Sequence, residues 1–138
     1  MYTPPGEIPA AQATHCALGT VLSHQVFGAH AAESLAAIRA EIAQIEAHLS
    51  RFLPESDVSR VNRAAGSGCV RVSPATFAVL SEAVALSRRF RGCFDVTIGP
   101  LVALWNAGRA ASAPPDARSI ARVLPLVDCS DVLLDPRE

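Results

Sequence analysis

The sequence predicts an α/β or α+β domain in which amphipathic helices pack on a small, incomplete sheet. Half of the 138 residues are hydrophobic, which is enough to form a core. One long segment carries apolar residues at helical spacing, and short runs rich in β-branched residues stand on either side of it. Because only two or three strands are available, we expect partner strands to lie beyond this chain.

Composition and charge narrow the function classes. A net charge of −1 gives no broad attraction to nucleic acid or anionic lipid. All basic residues are Arg, so a lysine-based mechanism within this chain is excluded. The four cysteines form no CxxC pair and are interpreted as unpaired structural thiols: Cys16, Cys69, Cys93 and Cys129.

The absence of recognisable targeting signals leads to an expectation about the cellular compartment. No apolar run approaches the roughly 20 residues that span a bilayer. The first residues contain several prolines but no basic start and no apolar h-region. As written, the chain is therefore expected to be cytoplasmic.

The first elements are a leader and a strand. Residues 1–15 are predicted to form a loose, proline-containing leader, and Leu18–Gly28 is predicted to form a strand. His24 shares a strand face with Leu22 and Val26. We interpret it as a partnered or edge residue rather than as a metal ligand.

The long periodic segment predicts a helix from Ala31 to Arg51 that stops before Pro54. A coiled-coil seam is the rival interpretation, but three heptads without continuation favour packing on a sheet. The polar residues outside the stripe, Glu46 among them, are interpreted as solvated. The apolar stripe consists of Leu35, Ile38, Ile42, Ile45, Leu49 and Phe52.

Three further elements are predicted up to Gly92. A short helix is expected around Val58–Ala64 and a strand at Cys69–Ser73. The pair Ser73-Pro74 is a strong helix start, with Ser as N-cap and Pro in the first turn. Gly92 is the expected C′ residue of that helix.

The segment "GCFDVTIGPLVALW" carries one carboxylate, Asp95, which is a plausible N-cap for the helix that follows. Trp105 is expected in the core. Residues 109–119 are predicted to be an exposed loop. A last short helix should run from Pro115 through Leu124, and Ser130–Asp135 is predicted to be a final strand.

Four stretches of this chain carry a resemblance to a known family. They are "LGTVLSHQVFG", "IEAHLSRFLPESDVSRVNRAAG", "VSPATFAVLSEAVALSRRFRGCFDVTIGPLVALWNAG" and "LPLVDCSDVLLD". In this order they resemble the N-terminal part of the FAD:protein FMN transferase family, the ApbE-type flavinyltransferases. The resemblance implies that residues 16–138 are the N-terminal portion of a partial, T-fold-like domain whose C-terminal catalytic part is absent.

The resemblance also implies a chemistry. Such enzymes bind FAD, use Mg²⁺ to polarise its pyrophosphate, and move FMN onto a Thr or Ser hydroxyl of a target protein with release of AMP. The family's "DLGGIAKGYAVD"-like motif and its Mg²⁺ ligands lie downstream of the segments present here. We therefore assign no catalytic or metal-binding residue. Members are often periplasmic or membrane-anchored.

Five residues stand at the family's cofactor-contacting positions. By the resemblance, FAD is contacted by Leu18, Phe52, Cys93, Phe94 and Asp95. Three of these residues have a plainer interpretation as well. Leu18 could be an ordinary strand residue, Phe52 could be buried at the end of the helical stripe, and Asp95 could be only a helix cap.

Three hypotheses remain open. The chain could be the catalytically incomplete N-terminal portion of a flavinyltransferase. It could instead be a non-catalytic flavin-binding or partner-binding half that assembles with a separate C-terminal partner chain, or a degenerate interaction module that has lost the cofactor. The expected partners are FAD and a flavin-acceptor protein, with no nucleic acid. An unpaired final strand predicts poor solubility or self-association of the isolated chain.

Overall fold

A computed structural model describes residues 9–90, 92–110 and 112–137, with only the backbone at position 110. The chain divides into two compact units, one ending at Ser73 and one beginning at Pro74. No helix within the described ranges is both long enough and apolar enough to cross a membrane.

The first unit begins with a β-hairpin. Strands β1 (Ala10–Ala17) and β2 (Thr20–Phe27) pair antiparallel, with Ala17 opposite Thr20. Burial alternates along both strands, and helix α1 (Ala31–Leu49) contacts each of them. The more buried face of the hairpin includes His15 and His24, whose rings stack with centroids 5.2 Å apart. The predicted strand and helix are therefore confirmed, and His24 has a ring partner.

The leader prediction is wrong for residues 10–15, which belong to β1. The strand is hard to recognise in the sequence because small residues occupy its more buried face. Ala11, Ala13 and Ala17 give only a weak alternating hydrophobic pattern. Pairing with β2, which is rich in β-branched residues, stabilises β1 although its own β-propensity is low. Residues 1–8 lie outside the described part of the chain.

Helix α2 (Asp57–Ala64) follows α1, close to its predicted bounds. The next predicted element, a strand at Cys69–Ser73, is wrong. The backbone of this segment is satisfied by side chains instead of by a neighbouring strand. Arg60 donates from Nη2 to the Arg71 carbonyl, and the Ser73 N–H donates to Asp57 Oδ2 at 2.9 Å.

The second unit is helical. It contains α3 (Pro74–Phe90), α4 (Gly99–Ala110), α5 (Ala117–Val123) and two 3₁₀ turns at Leu124–Leu126 and Cys129–Asp131. Helix α3 begins at the predicted proline. Gly92, at φ +87°, takes the left-handed conformation predicted for a C′ residue.

Two expectations about the second unit are wrong. Ser130–Asp135 is not a strand: it starts in a 3₁₀ turn and continues without regular structure, since the described part of the second unit contains no other strand to pair with it. Trp105 is 51% exposed rather than in the core. The predicted class, helices with a small sheet, is confirmed.

Candidate functional site

Leu18 occupies the tip of the hairpin rather than a strand. It has φ +54° and its neighbour Gly19 has φ +72°, the pattern of positive φ found in tight type I′ hairpin turns. A left-handed backbone costs a residue with a side chain about 1–2 kcal/mol. Leu18 is also 51% exposed. The turn therefore holds an apolar side chain out in solvent in a conformation that Leu does not favour.

A hydrogen bond from a distant helix steadies this turn. The Leu18 N–H donates to Glu46 Oε1 at 3.0 Å, across 28 residues of sequence. Glu46 lies near the end of α1 and is half-buried. A shallow cleft of about 410 Å³ beside the turn is lined by Cys16, Ala17, Gly19, Thr20, Val21 and Glu46.

Phe52 lies just beyond the end of α1 and is 73% exposed. Its expected burial at the end of the stripe is therefore wrong, because the helix stops at Leu49 and the chain leaves the helical path. The Phe52 N–H donates to Ser50 Oγ at 3.3 Å. The guanidinium of Arg51 lies 4.5 Å from the centroid of the Phe52 ring, within cation–π range.

Ser50 fixes this corner to helix α2. Its carbonyl accepts hydrogen bonds from Ser56 Oγ at 2.5 Å and Ser59 Oγ at 3.3 Å. Ser56 and Ser59 are buried, and Ser56 also caps α2 by accepting from the Ser59 N–H. The Ser50 N–H donates to the Glu46 carbonyl at 3.0 Å. Leu18 and Phe52 are thus both tied to the last turn of α1.

The other candidate residues form a loop in the second unit. Cys93 is exposed and Phe94 is 44% exposed, directly after the turn at Gly92. The Cys93 N–H donates to the Phe90 carbonyl at 3.1 Å, which closes the end of α3. Phe94 therefore presents an aromatic face at the end of a well-defined helix.

Asp95 organises this loop through both carboxylate oxygens. Its Oδ1 accepts from the Thr97 N–H at 2.8 Å and from Thr97 Oγ1 at 2.6 Å. Its Oδ2 accepts from the Cys129 N–H at 3.2 Å. The expectation that Asp95 caps the following helix is wrong, since α4 begins only at Gly99 and Asp95 makes a local Asx turn instead.

A second anchor joins the loop to α3. The Val96 N–H donates to Ser87 Oγ at 3.2 Å, and Ser87 Oγ donates to the Ala83 carbonyl at 2.9 Å. Ser87 is buried. The loop that carries Cys93 and Phe94 is therefore held by the Ser87 side chain of α3 and by the backbone N–H of Cys129.

Across the described ranges, no group of three or more His, Cys, Asp or Glu side chains could hold a metal ion. These residues do not fit a Mg²⁺ site, so we derive no chemical step through Mg²⁺ from this part of the chain.

Comparison with known proteins identifies the family. The sequence model described as the ApbE family matches residues 18–138. This chain belongs to the ApbE family. The match includes all five candidate residues, and it agrees with the resemblance carried by the sequence motifs.

The ApbE relatives include proteins described as FAD:protein FMN transferases. One from Klebsiella pneumoniae (strain 342) is 40% identical over 81 residues, which is 59% of this chain and 26% of that protein. One from Treponema pallidum (strain Nichols) is 29% identical over 121 residues, covering 85% of this chain and 33% of that protein. The chain therefore spans a quarter to a third of these relatives.

Solved ApbE structures share the fold. The ApbE protein of Thermotoga maritima superposes with a TM-score of 0.82 at 24% identity, over 94% of this chain and 43% of that one. The apo form of Pseudomonas stutzeri flavinyl transferase ApbE gives a TM-score of 0.79 at 22% identity, over 97% and 47%. This chain thus accounts for less than half of each solved structure.

Sequence reasoning missed the residues that hold the candidate site. Glu46 was interpreted as solvated, yet it binds the hairpin turn. Ser50 and Ser87 carried no distinguishing pattern, because their partners depend on how the helices pack. The Ser56–Ser59 pair has the spacing of a helix cap, and that signal could have been recognised.

Proposed function

We propose that this chain forms part of the FAD pocket of an FAD:protein FMN transferase. By the family resemblance, the residues proposed to contact the flavin are Leu18, Phe52, Cys93, Phe94 and Asp95. Asp95 also supports the loop that carries Cys93 and Phe94. One observation carries the proposal: Leu18 and Phe52 are exposed apolar side chains whose backbones are fixed by the same helix end. Flat ligands bind best to apolar and aromatic walls that are already in place.

The proposed reaction is a phosphoryl transfer from FAD to an acceptor protein. A Thr or Ser hydroxyl oxygen forms a bond to the phosphorus of the FMN half, the pyrophosphate P–O bond to the AMP half breaks, the hydroxyl proton passes to solvent, and AMP leaves. Mg²⁺, bound by ligands outside the described residues, would supply charge neutralisation on the pyrophosphate. The contribution of this chain is to bind and orient the flavin.

A second candidate function is a flavin-binding or interaction module without catalysis of its own, or a split half that works with a separate C-terminal chain. This chain covers 43% and 47% of the two solved relatives' chains. The two candidates differ in what they need. A split half gains transfer activity when its partner is added, whereas an interaction module does not.

Titration with FAD tests the proposal. We expect flavin fluorescence to change on binding, either with this chain alone or after addition of an ApbE C-terminal portion. Phe52→Ala and Phe94→Ala should each weaken binding about three- to tenfold, the value of one aromatic contact. Phe27→Ala is the matched control, because Phe27 is 62% exposed on β2 and is not one of the residues proposed to contact the flavin.

Two results would overturn the proposal. One is an unchanged flavin signal both with the chain alone and with the added C-terminal portion. The other is equal loss of affinity in all three Phe variants, which would mean that exposed aromatics bind flavin without a defined site.

A further inference from the structure

Glu46 links the two parts of the candidate site in the first unit. Its side chain accepts the Leu18 N–H through Oε1, and its backbone carbonyl accepts the Ser50 N–H. Ser50 Oγ in turn accepts the Phe52 N–H. A single residue of α1 therefore connects by hydrogen bonds to the segments that carry Leu18 and Phe52.

The hairpin turn depends on an anchor of this kind. Type I′ turns are normally built from Asn-Gly or Asp-Gly, which tolerate positive φ. Here the first central residue is Leu18, whose side chain offers no hydrogen bond to its own backbone. The Leu18 N–H lies outside the strand pairing, which ends at Ala17 and Thr20. A carboxylate acceptor satisfies that N–H with a charge-assisted hydrogen bond.

We propose that Glu46 is a positioning residue for flavin binding. It holds the Leu18-Gly19 turn against the end of α1, so that Leu18 projects at a fixed distance from the segment carrying Phe52. A flavin then meets two apolar side chains that are already ordered, and it loses less conformational freedom on binding. This inference rests on the proposed function.

The proposed role of Glu46 depends on the hydrogen bond that it accepts and not on its negative charge. If Glu46 acts by accepting one hydrogen bond, an amide oxygen at the same place should largely replace it. Glu46→Gln should therefore keep the turn in place, whereas Glu46→Ala should release it. Glu41→Ala is the control, because Glu41 is an exposed acidic residue of the same helix.

The first measurement needs no flavin. Hydrogen exchange of the Leu18 amide, followed by NMR, reports the bond to Glu46 directly. Glu46→Ala should speed this exchange about tenfold or more, since the amide loses its acceptor, while Glu46→Gln and Glu41→Ala should stay near wild type. Unchanged exchange in Glu46→Ala would overturn the anchoring role, whether or not the chain binds FAD.

The second measurement is the FAD affinity, in whichever assembly binds FAD in the titration described above. We expect Glu46→Ala to weaken binding about five- to tenfold, Glu46→Gln to restore it to within about twofold, and Glu41→Ala to leave it unchanged. Faster Leu18 exchange with unchanged FAD affinity in Glu46→Ala would overturn positioning. Lost affinity in Glu46→Gln with a protected Leu18 amide would also overturn it, because charge would then be the cause. Wild-type chain without FAD binding would count against the proposed function, while the exchange result would still decide whether Glu46 holds the turn.

Discussion

The two regions that carry the candidate residues are both held by a carboxylate, but the carboxylate stands in a different place in each. At the hairpin turn it is Glu46, which comes from another element and leaves the Leu18 side chain free. In the loop after α3 it is Asp95, itself one of the candidate residues. A residue predicted to contact a cofactor can therefore also be the residue that holds its own loop in place.

Because the anchoring carboxylates differ, substitutions in the two regions should affect different properties of the protein. Three hydrogen bonds from the loop and from Cys129 converge on the carboxylate of Asp95. Leu18 and Phe52 have backbone anchors and exposed side chains instead. Changes in the first region should mainly alter ligand binding, and changes at Asp95 should mainly alter stability.

Asp95→Ala should have the largest effect on folding. It removes the acceptor of three hydrogen bonds from a half-buried site, which should lower the free energy of unfolding by about 2–4 kcal/mol. Urea unfolding followed by circular dichroism measures this. Asp95→Asn is the control and should lose less, because one side-chain oxygen remains as acceptor. Equal stability of Asp95→Ala and wild type would break the contrast between the two regions.

Ser56→Ala tests the anchor beneath Phe52. Ser56 is 1% exposed, caps α2 and donates to the Ser50 carbonyl. Its loss should cost about 1–2 kcal/mol of unfolding free energy. Ser67→Ala, at an exposed position, serves as control in the same urea experiment. Identical curves for the two variants would show that the Ser50 corner does not depend on this hydroxyl.

Leu18→Gly should produce effects of opposite sign. Glycine tolerates the positive φ at this position, so the free chain should gain up to about 1 kcal/mol of stability. FAD affinity should fall, because the apolar side chain is gone. Leu18→Asn, which also tolerates this backbone, should behave similarly. Thermal unfolding and flavin titration of the same samples give both numbers. A variant that is less stable and binds FAD normally would reverse the assignment of this region.

The smallest expected effect lies away from both regions, at the N-cap of α5. Hydrogen bonds from the Ser119 N–H and hydroxyl lower the pKa of Asp116 below its ordinary value of 3.8. A depressed pKa in the folded state contributes stability above pH 3.8, and this contribution is lost as the pH falls through the folded value. The stability difference between wild type and Asp116→Asn should therefore be constant near neutral pH and shrink in acid. A difference that stays constant as the pH falls below 3.8 would contradict the cap.

The sequence predicted correctly those elements that are defined by residue spacing and by the residues at helix ends. The apolar stripe placed α1, Ser73-Pro74 placed the start of α3, and Gly92 placed its end. The predicted strands at 69–73 and 130–135 were wrong because a strand is completed by a partner, which the local sequence does not show.

The candidate site was predictable only in part. The family motifs located Leu18, Phe52 and Cys93–Asp95, but exposure had to come from the structure. Helical spacing placed Phe52 on a buried stripe, and only the end of α1 at Leu49 turns it outward. The link from Glu46 to Leu18 joins residues 28 apart, and no local pattern indicates such a contact.

The hairpin has one more consequence. In the described part of the chain each of its strands pairs on one side only, so the outer backbone groups of β1 and β2 are available as a hydrogen-bonding template. A further strand can add to either border without disturbing the Leu18-Gly19 turn. The same strand edges that would accept further strands of a larger sheet also allow two hairpins to pair at high concentration. Which strand adds first would therefore decide between assembly and aggregation.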